Sequence, residues 1–305
     1  MISVVIPILN EEIILPELAR RLTEALKKLK LPWEVIFVDD GSSDGSYTAI
    51  QGLHTRDKRF KAVRFSRNFG HQVAISAGIE FARGDAVVIM DGDLQDPPEI
   101  LPLFVGQWRD GADVVYAIRT KRKESILKRM AYASFYRLIR HLSSLDIPLN
   151  SGDFCLISRR VADTLRSLPE KQRFVRGLRR WAGFRQVGLE YERDRRYAGK
   201  PKYTLGKLLT LAYDGIFSFS TVPLRIAVYT GFSLSIIAFL GGLWVIYDKV
   251  FNRIAIVGWA STMVVTTFIG GAILSTLGVI GEYIGRVYEE VKNRPLYIIQ
   301  DRIGL

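Results

Sequence analysis

The sequence predicts an α/β domain on a mostly parallel sheet, followed by a hairpin of two membrane-spanning helices. Three observations predict it. Over residues 1 to about 120, short β-branched apolar runs alternate with helical stretches, the pattern of a parallel sheet covered on both faces. Near the C-terminus, Ile226–Tyr247 (22 residues) and Ile254–Gly281 (28 residues) carry no charge, and each exceeds the roughly 20 residues that cross a ~30 Å hydrocarbon layer as helix. Forty-three Lys and Arg against 31 Asp and Glu leave a net charge of +12, which calls for an anionic partner: nucleic acid, a membrane surface or a phosphorylated substrate.

The predicted strands are Ser3–Leu9, Val35–Val38, Ala62–Phe65, Ala86–Met90 and Val114–Ile118, with helices near Glu12–Leu29, Asp44–Arg56, His71–Ala82 and Glu99–Arg109. Met1–Leu9 lacks a basic start and runs into Asn10-Glu11-Glu12, so it reads as a strand and not a signal peptide. The expected divisions are a domain over 1–210 with a basic amphipathic helix at about 124–142, a juxtamembrane helix at 205–222, spans at 224–248 and 254–284, and a tail at 285–305. Asp248–Arg253 then forms the connecting loop. A single cysteine, Cys155, excludes a disulfide framework and a cysteine zinc site, and His54, His71 and His141 are too scattered for a histidine metal motif.

Ligands of parallel sheets bind beyond the carboxyl ends of the strands. The polar residues there are Pro7-Ile8-Leu9-Asn10-Glu11, then Asp39-Asp40-Gly41-Ser42-Ser43-Asp44, then Asp91-Gly92-Asp93-Leu94-Gln95-Asp96, and Arg119. Each also has a plain turn or cap reading, Asp44 above all. Several acidic turns at one sheet edge repel, however, and a divalent cation or a donor-rich ligand relieves that. Asp91 and Asp93, two residues apart around Gly92, aim at one cation. Few, oxygen-only ligands suit Mg²⁺ or Mn²⁺ completed by substrate phosphates. No Gly-x-Gly-x-x-Gly or Walker loop is present.

Together these residues resemble glycosyltransferase family 2 with its GT-A fold, a Rossmann-like α/β arrangement. More narrowly, they resemble the polyisoprenyl-phosphate glycosyltransferases. The resemblance is carried by Val5–Glu11, Val38–Gly45, Ser66-Arg67-Asn68-Phe69-Gly70-His71, Met90–Pro98, Ser151-Gly152-Asp153-Phe154 and the two apolar runs. It implies that the nucleotide of a sugar donor lies over Pro7, Asn10, Glu11, Asp39, Asp40, Ser42, Asp91 and Gly92, with Asp39 facing a base N–H. It implies that Asp91, Asp93 and Gln95 hold the metal on the diphosphate. Asp153 falls where the family has an acidic residue beside the reacting sugar, and Arg119 where it has an arginine for acceptor phosphate. A phosphate acceptor is already ionised near neutral pH, so Asp153 is read first as orienting substrate and second as a base; a turn residue before the strand Phe154–Ile157 is the plain alternative.

The basic excess is local. Arg119–Arg140 holds eight Lys and Arg with one acid, and Arg193–Lys207 holds six with one acid. Arg122, Lys128, Lys200 and Lys202 join Arg119 as candidates for the acceptor phosphate. The first stretch either lies at the bilayer interface or packs on its own domain. Basic residues flanking both apolar runs place the domain and the tail in the cytoplasm, which for this resemblance means a bacterial inner membrane. The expected activity is inverting transfer of a hexose, glucose from UDP-glucose first, to a polyprenyl phosphate such as undecaprenyl phosphate. Small residues at Gly271, Ser275, Gly281 and Gly285 predict a homo-oligomer. The rivals are another donor sugar, a processive polysaccharide synthase, and a non-catalytic scaffold or nucleotide-sugar sensor. For the synthase, Gly177-Leu178-Arg179-Arg180-Trp181 keeps only Arg-Trp of its Gln-x-x-Arg-Trp. Nucleic-acid binding lacks any recognition motif and is set aside.

Overall fold

The computed structural model describes residues 1–119, 151–192, 220–247, 250–251 and 258–305. They form two units: residues 1–119, 151–192 and 294–305 in the first, and the helices between 220 and 293 in the second. In the first unit the elements run β1 (Ile2–Ile8), α1 (Leu15–Lys28), β2 (Trp33–Asp39), α2 (Ser46–Arg56), β3 (Phe60–Phe65), α3 (His71–Phe81), β4 (Ala86–Ile89), α4 (Leu101–Arg109), β5 (Val114–Arg119), β6 (Ser151–Ser158), α5 (Arg159–Ser167), α6 (Val175–Trp181), β7 (Gln186–Tyr191) and the C-terminal β8 (Ile299–Ile303). Every predicted strand is present, within about two residues at either end.

The eight strands make one sheet in the order β7-β5-β6-β4-β1-β2-β3-β8. β4, β1, β2 and β3 pair in parallel, and all seven residues of β1 and of β2 are buried, as expected for strands covered on both sides. Leu18, Leu22 and Leu26 of α1 pack with Ile6, Phe37 and Phe104 in the core. β6 departs from the parallel pattern: it inserts antiparallel between β4 and β5, with Ile89 opposite Cys155. Extending that register by two residues brings Asp153 level with Asp91.

Within the tail expected at 285–305, residues 285–291 continue a helix, and Ile299–Ile303 is an edge strand, antiparallel to β3. Charges end an apolar span but not a helix: the Glu282–Arg286 pair at 2.9 Å and the Glu289–Lys292 pair, four and three residues apart, carry the helix onward. β8 also shields the free edge of β3 with a short strand rich in charge.

The second unit contains α7 (Val222–Tyr247) and α8 (Trp259–Val291), packed on each other. Within them Val222–Trp244 and Val264–Val291, 23 and 28 residues, are long and apolar enough to cross a membrane, and almost none of either is buried in protein. A core helix of a soluble protein would be covered. The Tyr283 hydroxyl donates to the Ser220 carbonyl at 2.6 Å, pinning the start of α7 to α8. The described part of α8 begins at Trp259; residues 248–249 and 252–253 of the expected loop and 254–257 of the expected second span lie outside the described residues. So do the expected helix at 124–142 and residues 205–219 of the one expected at 205–222.

Candidate functional site

The carboxyl ends of β1 and β2 are tied to one another before any ligand is considered. Asn10 adopts φ 55°, a left-handed conformation asparagine tolerates better than most residues. Its N–H donates to Ser42 Oγ at 3.0 Å, and its Oδ1 accepts from the Ser43 N–H at 2.8 Å. The Glu11 N–H donates to Ser46 Oγ at 2.9 Å. Pro7 is buried along β1 opposite Val38. Gly41, at φ 75°, lets the turn pass so close to the β3–α3 loop that a Cβ would stand 2.6 Å from the Arg67 carbonyl carbon.

Asp39 and Asp40, both predicted at the nucleotide, are engaged by the protein itself. Asp40 accepts from the Phe69 N–H at 2.7 Å and the Gly70 N–H at 3.0 Å, and so anchors the loop entering α3. Burial pushes its carboxyl above the ordinary value in spite of those bonds. Asp39 is wholly buried; its Oδ1 accepts from the Ser42 N–H at 2.8 Å, and its Oδ2 lies 3.4 Å from Arg64 Nε without a hydrogen bond. Asp44 takes the plain reading: it accepts from the Ser46 N–H at 3.0 Å and the Glu12 N–H at 3.2 Å, bracing the turn before α2.

The loop after β4 turns sharply. A Cβ on Gly92 would fall 2.7 Å from Ile8 Cδ1, and Leu94 sits at φ 58°. The Gln95 N–H donates to Asp93 Oδ1 at 3.1 Å, and Asp96, fully buried, accepts from the Tyr191 hydroxyl. Among the described residues no three His, Cys, Asp or Glu side chains form a closed cage. Two carboxylates and an amide on one tight loop nevertheless fit a hard cation that takes few protein ligands and fills its shell with phosphate oxygens.

Beside this loop stands a cluster drawn from three elements. Asp153 Oδ2 accepts from Gln72 Nε2 at 3.0 Å and lies 3.7 Å from His71 Nε2; Oδ1 lies 3.2 Å from a terminal nitrogen of Arg176. His71 Nε2 is also 3.4 Å from Asp91 Oδ1, so one imidazole bridges the carboxylates of Asp91 and Asp153. The Gln72 amide oxygen accepts from the Val175 N–H at 2.9 Å, fastening α3 to the start of α6. Burial disfavours charge on both partners, yet Asp153, Asp91 and Asp40 push His71 up to about 9, while Arg176, His71 and Arg179 hold Asp153 well below the usual carboxylate range.

Sequence reasoning named Asp153 but not Gln72 or Arg176 as its partners, nor Arg64 beside Asp39. His71 was quoted within a motif without a role. Arg119 ends β5, with its backbone opposite Tyr191 of β7. Arg122, Lys128, Lys200 and Lys202 lie outside the described residues.

Residues 3–166 match the family described as Glycosyl transferase family 2. An uncharacterized glycosyltransferase, YkcC, of Bacillus subtilis is 47% identical over 99% of this chain and 94% of its own length. An SfII prophage-derived bactoprenol glucosyl transferase of Shigella flexneri is 41% identical over 98% of this chain and 97% of its own. Among solved structures, the mannosyltransferase PcManGT of Pyrobaculum calidifontis, in complex with GDP-Man and Mn²⁺, is 17% identical over 90% of this chain and 86% of its own, with a TM-score of 0.42.

Proposed function

The chain belongs to glycosyltransferase family 2, with a GT-A domain and two apolar C-terminal helices, and we propose that it transfers glucose from UDP-glucose to a polyprenyl phosphate at the membrane. The observation that carries the acceptor class is the engagement of Asp153. Both its oxygens are occupied, by Gln72 and His71 on one side and Arg176 on the other. A carboxylate so held is a poor proton acceptor. An alcohol acceptor needs a base; a phosphate monoester needs none, because it is already an anion. A bactoprenol glucosyl transferase matched over 97% of its length supports the glucosyl donor and the polyprenyl acceptor.

Asp91, Asp93 and Gln95 would hold a Mg²⁺ or Mn²⁺ ion, whose charge offsets that developing on the diphosphate leaving group. The protein's own residues do the rest. The β1 and β2 turns, locked together by Asn10, Ser42 and Ser43, offer a preformed floor for the nucleotide. Asp153 is fixed by its partners as an oriented anion beside Asp91, suited to a sugar hydroxyl or to the positive charge that grows at the anomeric carbon. The phosphate oxygen attacks that carbon from the face opposite the diphosphate, which inverts its configuration. Arg119 with the basic stretch after it, and Lys200 with Lys202, are proposed to draw the lipid phosphate in. Basic residues flanking both helices support a bacterial cytoplasmic membrane with the catalytic domain inside. The return of the C-terminus to the sheet as β8 supports an even number of crossings. A homo-oligomer is proposed from the small residues of α8, where Gly271, Gly281 and Gly285 have open space around them.

Purified protein, UDP-glucose, undecaprenyl phosphate and Mg²⁺ should yield a lipid-linked glucose readable by thin-layer chromatography. EDTA, or Asp93→Ala in a folded protein, should lower the rate by about 100-fold or more, the scale of losing charge stabilisation at a transition state. Undiminished transfer in either case defeats the proposal.

A further inference from the structure

Asp39, Arg64 and Asp301 stand in one row across three strands. Asp39 on β2 is the register partner of Arg64 on β3, and Arg64 is the register partner of Asp301 on β8. Side chains directly opposite on neighbouring strands share a face with Cβ atoms ~5 Å apart, so one guanidinium stands between two carboxylates. Its bond to the first is unfinished. Arg64 Nε lies 3.4 Å from Asp39 Oδ2, yet neither atom has a hydrogen-bond partner among the described residues, and the contact of a terminal Arg64 nitrogen with the Ser42 carbonyl is stretched to 3.5 Å. The other side is prepared to receive it. The guanidinium carbon is 4.7 Å from the centre of the Tyr47 ring, and the Tyr47 hydroxyl donates to Asp301 Oδ2 at 2.6 Å.

Asp39 is completely buried with Arg64 against its one unbonded oxygen, so no ligand atom reaches that oxygen while the arginine stays. We infer that Arg64 is a gate on the donor site: it yields Asp39 to the base of an incoming nucleoside diphosphate and moves along the row to Asp301 on the C-terminal strand. The inference rests on Asp39 meeting the base. The exchange leaves no buried carboxylate oxygen without a partner. Before binding, Arg64 offsets Asp39, whose burial without a partner is costly. After binding, the base N–H satisfies Asp39, and Arg64 pairs with the exposed carboxylate of Asp301 over the Tyr47 ring. Asp301 thereby becomes part of donor recognition without touching the donor, and it lies in the segment that follows α8.

Calorimetric titration of the full-length protein in detergent with UDP and with GDP, Mg²⁺ present, takes as probe whichever nucleotide the wild type binds. Asp39→Asn should weaken binding about tenfold or more, the usual worth of a hydrogen bond to a charged group. Asp301→Asn, which keeps an acceptor for the Tyr47 hydroxyl, should weaken it about two- to fivefold. Arg64→Ala should leave affinity unchanged or tighten it, because the competitor for Asp39 is gone, while lowering Tm; Arg64→Gln serves if the alanine variant does not fold. A brace that merely holds the site together would weaken binding in all three. Weakened binding by both Arg64 variants, or wild-type binding by Asp301→Asn, overturns the gate while Asp39→Asn still reports the base contact. Wild-type binding by Asp39→Asn overturns the contact itself, and the gate with it.

Discussion

Asp40 and Asp153 stand at the same sheet edge, the first buried and the second partly so, yet they are held in opposite ways. Asp40 is held by backbone, the N–H groups of Phe69 and Gly70. Asp153 is held by side chains, Gln72, His71 and Arg176. Burial wins at Asp40 and its carboxyl rises; cations win at Asp153 and its carboxyl falls. The difference separates architecture from chemistry. A carboxylate that ends a loop's unpaired N–H groups fixes the backbone, whereas one kept charged by neighbouring cations keeps its charge for the substrate role proposed for Asp153.

Cutting the side-chain support should have the larger effect. Gln72→Ala frees Asp153 Oδ2 from α3 and α3 from the start of α6, so kcat should fall about 10- to 100-fold, the usual cost of slight misplacement of a reacting group. Nucleotide affinity, measured by titration, should hold within about twofold, since Gln72 bonds none of the β1 and β2 turns. A fall in affinity with kcat intact would place Gln72 in the floor instead. Cutting the backbone support should be felt in folding. Asp40→Ala strands the Phe69 and Gly70 N–H groups and should cost about 1–3 kcal/mol, read from the urea midpoint of tryptophan fluorescence. An unchanged midpoint would deny Asp40 its structural role.

The smallest effect is a matter of sign in the pH dependence of stability. Glu34, buried on β2, is held below its ordinary value because the Lys61 ammonium, the Ser3 hydroxyl and the Arg83 N–H outweigh burial. Its contribution is complete above about pH 4.3 and is lost as pH falls through the lowered folded value. Asp40, raised by burial, has the reverse slope: its ionisation costs stability as pH rises from about 3.9 through the raised folded value. Glu34→Gln should therefore flatten the acid limb of the urea midpoint against pH, and Asp40→Asn should steepen it. Equal slopes in both variants would contradict the two assignments.

The same division explains what the sequence disclosed. Turns such as Asp39-Asp40-Gly41-Ser42 and Asp91-Gly92-Asp93 are local, and both their position at strand ends and their residue types can be read along the chain. The apolar strands and the two uncharged runs are equally local. Asp153's partners come from residues 72 and 176, more than 80 and 20 positions away, and meet it only because β6 enters the sheet antiparallel beside β4. No periodicity announces that insertion. β8 escaped for a related reason: Ile299–Ile303 is five residues long, with only its two ends apolar, and it becomes a strand by pairing with β3. Arg64 looked like one more basic residue in a basic chain until its row, between Asp39 and Asp301, existed.

The most direct measurement compares two acceptors that differ only in the phosphate. Purified protein with UDP-glucose and Mg²⁺ is given undecaprenyl phosphate or undecaprenol, and the lipid product is followed by mass spectrometry. With Asp153 locked in its partners and no base needed, glucose should appear on the phosphate and not on the alcohol. Transfer to undecaprenol at a comparable rate would contradict the account, because it would require a base that the engaged Asp153 does not provide.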